Sequence, residues 1–187
     1  MTENPGEHLV GQYLKEVKNC DFVEYNLQTK TVQGEIDVVG INSNNRHVYI
    51  CEVATHLQGL GLQYTKNNRP DNVSRLTDKF DKDIAYANKN FPDPDFQKEF
   101  MVWTPIARQS KAGSSTNPFR DLQDIKNNVK KRHSIDLAIV ANKDFLDAIE
   151  ELRAVAAKRT DQMNSPIMRF LQIEEQLKKY FGPTRPK

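Results

Sequence analysis

The chain has 187 residues, of which 37% are hydrophobic and 28% charged, with a formal net charge of +2. This composition excludes wholesale disorder, and the length suits one domain with its own core rather than two. No apolar run approaches the roughly 20 residues needed to cross a bilayer. The start, MTENPGEHLV, lacks the basic and apolar regions of a secretory signal, so a cytoplasmic protein that does not enter membranes is expected.

Apolar residues at 9, 10, 13, 14 and 17 predict a first helix over 6–18, opened by Asn4 and Pro5 with Glu7 in its first turn. Three strands follow: Phe22 to Leu27, Ile36 to Ile41, and His47 to Ala54. The turn cluster Asn42 to Asn45 separates the last two. These connections are too short for helical crossovers, so 21–54 reads as an antiparallel meander. Residues 57–72 read as a loop, long enough to suggest function. A helix is expected from Val73 to Asn90, ended by Phe91-Pro92. Then come a strand over 100–106, a Ser/Lys/Gly loop over 108–118, a helix over 119–132 and a strand over 135–141. Two helices over 143–159 and 166–180 complete the chain, followed by a disordered tail at 183–187. The expectation is a single α/β domain over 1–182: a mixed central sheet, meander first and parallel additions later, flanked by helices, with a helical C-terminal part over about 143–180.

Charge is unevenly spread. Residues 1–60 carry a net −4, residues 105–133 a net +5 and residues 158–187 a net +4. An acidic centre with basic flanks suits a metal site that handles a polyanion, and equally suits ordinary solvated faces. Cys20 and Cys51 have neither CxxC spacing nor a nearby Cys/His set, so they read as buried thiols and not a zinc site.

The stretches GEIDVVG (34–40) and VYICEVA (48–54) place Asp37 and Glu52 in hydrophobic strands. A carboxylate buried there costs several kcal/mol, on the order of what a lost ion partner costs, unless it is paired or metal-bound. The turn brings the two strands together, and two close carboxylates repel until a cation sits between them. Oxygen ligands of this kind suit Mg²⁺ or Mn²⁺, which can activate water and stabilise charge at a phosphoryl centre. Each acid also has a plainer role: Asp37 or Glu52 can pair with a basic side chain, and Glu7 can simply favour the helix N-terminus.

These residues resemble the PD-(D/E)xK, restriction-endonuclease-like nuclease superfamily over roughly residues 6–90. The resemblance implies an acid on the first helix (Glu7), an Asp at a strand bend (Asp37) and a Glu on the next strand (Glu52), with the Val53 carbonyl as a further metal ligand. It further implies a Mg²⁺- or Mn²⁺-dependent endonuclease acting on DNA, in restriction, repair or defence, with a homodimer as one possible assembly. The pattern departs at one point: the lysine expected two residues after the Glu is Ala54. Its role either migrates, to His56 on the same strand face or to Lys66, Lys79 or Lys82, or is lost, leaving a fold that binds nucleic acid or a partner without cutting. Arg108 and Lys111 in the flexible loop, with Lys130, Lys131 and Arg132 in the following basic run, are the candidate contacts to nucleic-acid phosphates. No P-loop, GxSxG, dinucleotide fingerprint or HExxH is present.

Overall fold

A computed structural model describes residues 4–29, 34–55, 65–66, 69–111, 114 and 117–182. His56, the side chain of Lys66 and the expected tail at 183–187 lie outside the described residues.

In chain order the elements are α1 (Pro5–Glu16), β1 (Phe22–Gln28), β2 (Glu35–Asn42), β3 (His47–Val53), β4 (Thr65–Lys66), β5 (Arg69–Pro70), α2 (Asn72–Asn90), β6 (Gln97–Thr104), α3 (Pro118–His133), β7 (Ala138–Ala141), α4 (Lys143–Lys158) and α5 (Pro166–Phe181). Three helices begin alike. Asn4, Asn117 and Ser165 accept a backbone N–H from the first turn, and a proline follows each, pre-set for the first helical position.

Five strands form one sheet in the order β1-β2-β3-β6-β7. β1, β2 and β3 are antiparallel neighbours, while β3–β6 and β6–β7 are parallel. This is the α/β architecture the sequence order implies, with the meander first and the parallel strands added through helical crossovers. Two details differ. β7 begins at Ala138 and not at 135: Leu137 is buried without joining the ladder. Within the stretch read as a loop, β4 and β5 pair as a two-residue ribbon.

Helices cover both faces, so β3, flanked by β2 and β6, is buried along nearly its whole length. On one face Leu76, Phe80 and Ile84 of α2 and Leu122, Ile125 and Val129 of α3 pack on Ile50, Phe100 and Val102. On the other, Val10 and Leu14 of α1 and Phe145 and Ala148 of α4 pack on Val38, Tyr49, Cys51 and Trp103. α5 lies outside this second layer, its Met168 and Leu171 against Leu152 and Ala156 of α4. Both cysteines are buried free thiols, and burial pushes the Cys20 thiol up to about 11. No described helix is long and apolar enough to cross a membrane.

α1 approaches the sheet closely because Gly11 lacks a side chain: a Cβ there would fall inside the Tyr25 phenol. Gly11→Ala gains about 1 kcal/mol of helix propensity and loses about 1–3 kcal/mol to overpacking. Chemical denaturation is expected to show a net loss on the order of 1 kcal/mol. A more stable Gly11→Ala would mean that Tyr25 can swing aside freely.

Candidate active site

The site begins where two strands part. β2 and β3 run together as far as the pair Val38–Cys51 and no further, while β2 continues against β1 to Glu35–Gln28. The first residues past this fork are Asp37 and Glu52. Facing Asp37 on β1, between the pairs Tyr25–Val38 and Leu27–Ile36, Asn26 has a left-handed backbone (φ 53°). Asparagine is among the few residues that tolerate it. Across the opening, the Val53 backbone N–H donates to Asp37 Oδ2 at 2.7 Å, so a side chain stands in for the missing ladder bond.

α2 crosses this fork. Its apolar positions Leu76, Phe80 and Ile84 enter the core, and on the adjoining stripe Lys79 and Asp83 point at the acids one turn apart. The Lys79 ammonium lies 3.0 Å from Asp37 Oδ1 and also contacts Glu52 Oε2. Asp83 is buried and shares a hydrogen bond with Glu52. Apart from Lys79 and Asp83, no donor reaches either Glu52 carboxylate oxygen among the described residues.

Burial and charge set the protonation of this cluster. Glu52, 1% exposed, has its pKa raised well above the ordinary carboxylate range by desolvation, then by the neighbouring Asp37 charge, against the pull of Lys79. Desolvation pushes Asp83 up to about 7, against the pull of its hydrogen bond to Glu52 and of Lys79. Two buried carboxylates this close repel, and the charge of Asp83 adds to the rise at Glu52 against the pull of Lys79. Lys79 moves the other way: burial favours its neutral form, but Glu52 and Asp37 outweigh that and hold it protonated well into the alkaline range. A lysine so held donates hydrogen bonds and positive charge; it does not accept a proton at neutral pH.

Glu7 sits beside this group and not at its centre. It is buried at the start of α1 and accepts from Asn4 Nδ2 at 2.6 Å, with Asn26 as a second partner. Burial raises its pKa, and the charge of Asp37 adds to the rise.

Outside the acids, a cleft of about 350 Å³ is lined by Gly34 and Glu35 and by Arg75, Asp78, Lys79, Lys82 and Asp83 of α2. Arg75, Lys79 and Lys82 follow each other at helical spacing on its wall. A hollow of about 480 Å³ on the α1/α4 face, between Leu9, Pro105, Phe145 and Ile149, is nearly all apolar and holds no titratable side chain.

The basic residues of the 105–133 segment are not gathered here. Arg132 pairs with Asp78 and Asp81 of α2, and His133 meets Asp81 at 2.6 Å, tying α3 to α2. Lys130, Lys131, Arg108 and Lys111 are all exposed.

A divalent cation between Asp37 and Glu52, with the Val53 carbonyl expected from the sequence as a third ligand, would be held by oxygen donors. Magnesium commonly takes one or two carboxylates and completes its shell with water, so the donors fit in kind. Glu52, enclosed with so few partners, adds to that fit. Among the described residues no three His, Cys, Asp or Glu side chains gather as a ready-made cage, and the Lys79 ammonium would have to move off Glu52 to admit the ion.

Sequence patterns marked Asp37, Glu52 and Lys79 but missed Asn26 and Asp83. Asp83 had a signal: an acid three residues after Phe80, on the buried stripe of an amphipathic helix. No protein-family model matches the chain, and neither the curated proteins nor the solved structures give a significant match.

Proposed function

We propose that the chain is a divalent-metal-dependent endonuclease that hydrolyses DNA phosphodiester bonds, an atypical relative of the PD-(D/E)xK nucleases. One observation carries this: the Lys79 ammonium reaches both Asp37 and Glu52 from α2. The lysine missing at position 54 is thereby supplied from another element, and the acid, acid and lysine of the family pattern come together.

Asp37, Glu52 and the Val53 carbonyl would hold Mg²⁺ or Mn²⁺, which when bound supplies an activated water and charge stabilisation at phosphorus. The chain's own groups do the rest. Lys79, held protonated, donates to an oxygen of the scissile phosphate and offsets the charge that develops there. Arg75 and Lys82 line the cleft through which the phosphate backbone would reach the acids. Glu7 ties α1 to Asn26 of β1, the residue that stands opposite Asp37.

A second reading, a module that binds nucleic acid or a partner without cutting, also has its observation. Lys79 already neutralises the two carboxylates, and Val53 N–H already occupies Asp37 Oδ2.

The two readings part in a cleavage assay on plasmid, linear, single-stranded and branched DNA and on RNA, with Mg²⁺ or Mn²⁺. Endonuclease action predicts metal-dependent cutting of DNA that Asp37→Asn and Glu52→Gln each reduce by at least about 100-fold, the scale of losing one transition-state contact. Salt-sensitive binding with no cutting of any substrate would establish the binding module. Cleavage that survives both substitutions would place the active centre elsewhere.

A further inference from the structure

α5 is apolar on two opposite sides. One side, with Met168, Leu171 and the buried Gln172, packs on the rest of the C-terminal layer. The other carries Phe170, Ile173, Leu177, Tyr180 and Phe181, between 46% and 82% exposed. Most amphipathic surface helices show solvent a polar face, and a monomer rarely shows a contiguous apolar patch beyond a few hundred Å².

We infer that this stripe is the interface of an antiparallel homodimer, in which α5 of one protomer packs on α5 of its partner about a two-fold axis that crosses the stripe between Ile173 and Leu177.

The spacing supports a second copy of the chain as occupant. Phe170, Ile173, Leu177 and Tyr180 are separated by three, four and three positions, a series that reads the same in both directions. Laid antiparallel, Ile173 of each protomer meets Leu177 of the other, and Phe170 meets Tyr180. A two-fold interface requires this self-complementarity, and three-four alternation is the spacing at which helices interlock along a seam. The area also suffices. Five exposed side chains of this size offer on the order of 600 Å² per protomer, and pairing them reaches the lower end of specific interfaces, about 1,200 Å².

Acidic side chains do not oppose the contact. Glu175 lies on the opposite side of α5 from the stripe, and Glu174, which flanks the stripe, is already neutralised within the chain: Arg153 lies 2.9 Å and Lys178 3.3 Å from it. Beside the stripe, a groove of about 510 Å³ runs between α5 and the 159–160 segment, with Ile173, Leu177, Tyr180 and Phe181 on its wall together with Arg159, Arg169 and Lys179, cations over which an aromatic ring can lie. It offers an opposing aromatic ring a seat. No feature of the Asp37–Glu52 site enters this inference.

Sedimentation equilibrium of the full chain tests it, with Leu177→Glu as the first variant. The wild type is expected to dimerise, and Leu177→Glu to weaken association at least tenfold. Leu177 is exposed, so an unchanged far-UV circular dichroism spectrum and a cooperative melt show that the fold is kept. The orientation is read from single cysteines, since native Cys20 and Cys51 are buried. Mixed Phe170→Cys and Tyr180→Cys chains should cross-link to each other, and Phe170→Cys should not cross-link to itself. A wild type that stays monomeric at about 100 µM, a dimer indifferent to Leu177→Glu, or self-cross-linking at 170 would each overturn the inference.

Discussion

Lys79→Ala is expected to destabilise the protein by about 3–5 kcal/mol at pH 8, the cost of leaving buried charge without its partner. Lys79 is the cation that contacts both Asp37 and Glu52, and Asp83 packs on Glu52. Glu52 and Asp83 already have folded pKa values above the ordinary 4.5 and 3.8, and removing Lys79 takes away a positive charge that lowers both. A group whose folded pKa is raised contributes stability below its unfolded pKa and loses it as pH rises through the folded value. The unfolded values are common to both proteins, so the loss in Lys79→Ala follows the folded values alone: it should be smallest below Asp83's wild-type value of about 7, where the acid is protonated in both, and grow as pH rises above it. Urea denaturation at pH 5 and pH 8 measures this directly. A loss of the same size at both would mean that the ammonium is not what stabilises the acids.

Trp103→Ala is expected to cost a similar 3–5 kcal/mol by a different route, a cavity in place of lost charge pairing. Trp103 is wholly buried in β6, with its ring edge-on to Tyr13 of α1 (5.1 Å between centroids) and to Phe145 of α4 (5.9 Å). Its indole N–H faces the Cys51 thiol. Neither helix can collapse into the space, because each is also fixed by the sheet. For a domain of this size, 1 kcal/mol shifts the melting temperature by roughly 2–4 °C, so a fall of about 10 °C should be seen by calorimetry. A shift under about 3 °C would show that α1 and α4 close over the gap.

The fold was readable because its main signals are local. The meander follows from short turns between apolar runs, and α2 from Leu76, Phe80 and Ile84 at helical spacing. Asp37 and Glu52 stood out because carboxylates are costly among β-branched neighbours. What could not be read depends on tertiary placement. Asn26 looks like any polar strand residue until its pairing with β2 shows that it stands opposite Asp37. Ala54 hid the lysine, since a side chain on a strand and one on a crossing helix can reach the same point from positions 25 residues apart. The basic run misled in part. Summing charge along the chain gives +5 over 105–133, yet Arg132 is neutralised by acids of α2 that such a sum never meets.

The lysine exchange tests the central claim most directly: whether Lys79 does from α2 what the family's lysine does from the strand. Position 54 lies two residues beyond Glu52, and its side chain faces the same layer as α2. Single-turnover DNA cleavage with Mg²⁺ would be measured for the wild type, Lys79→Ala and the double variant Lys79→Ala/Ala54→Lys. The account predicts a fall of at least about 100-fold in the first variant and substantial recovery in the second. Full cleavage by Lys79→Ala, in protein shown to be folded, would contradict it.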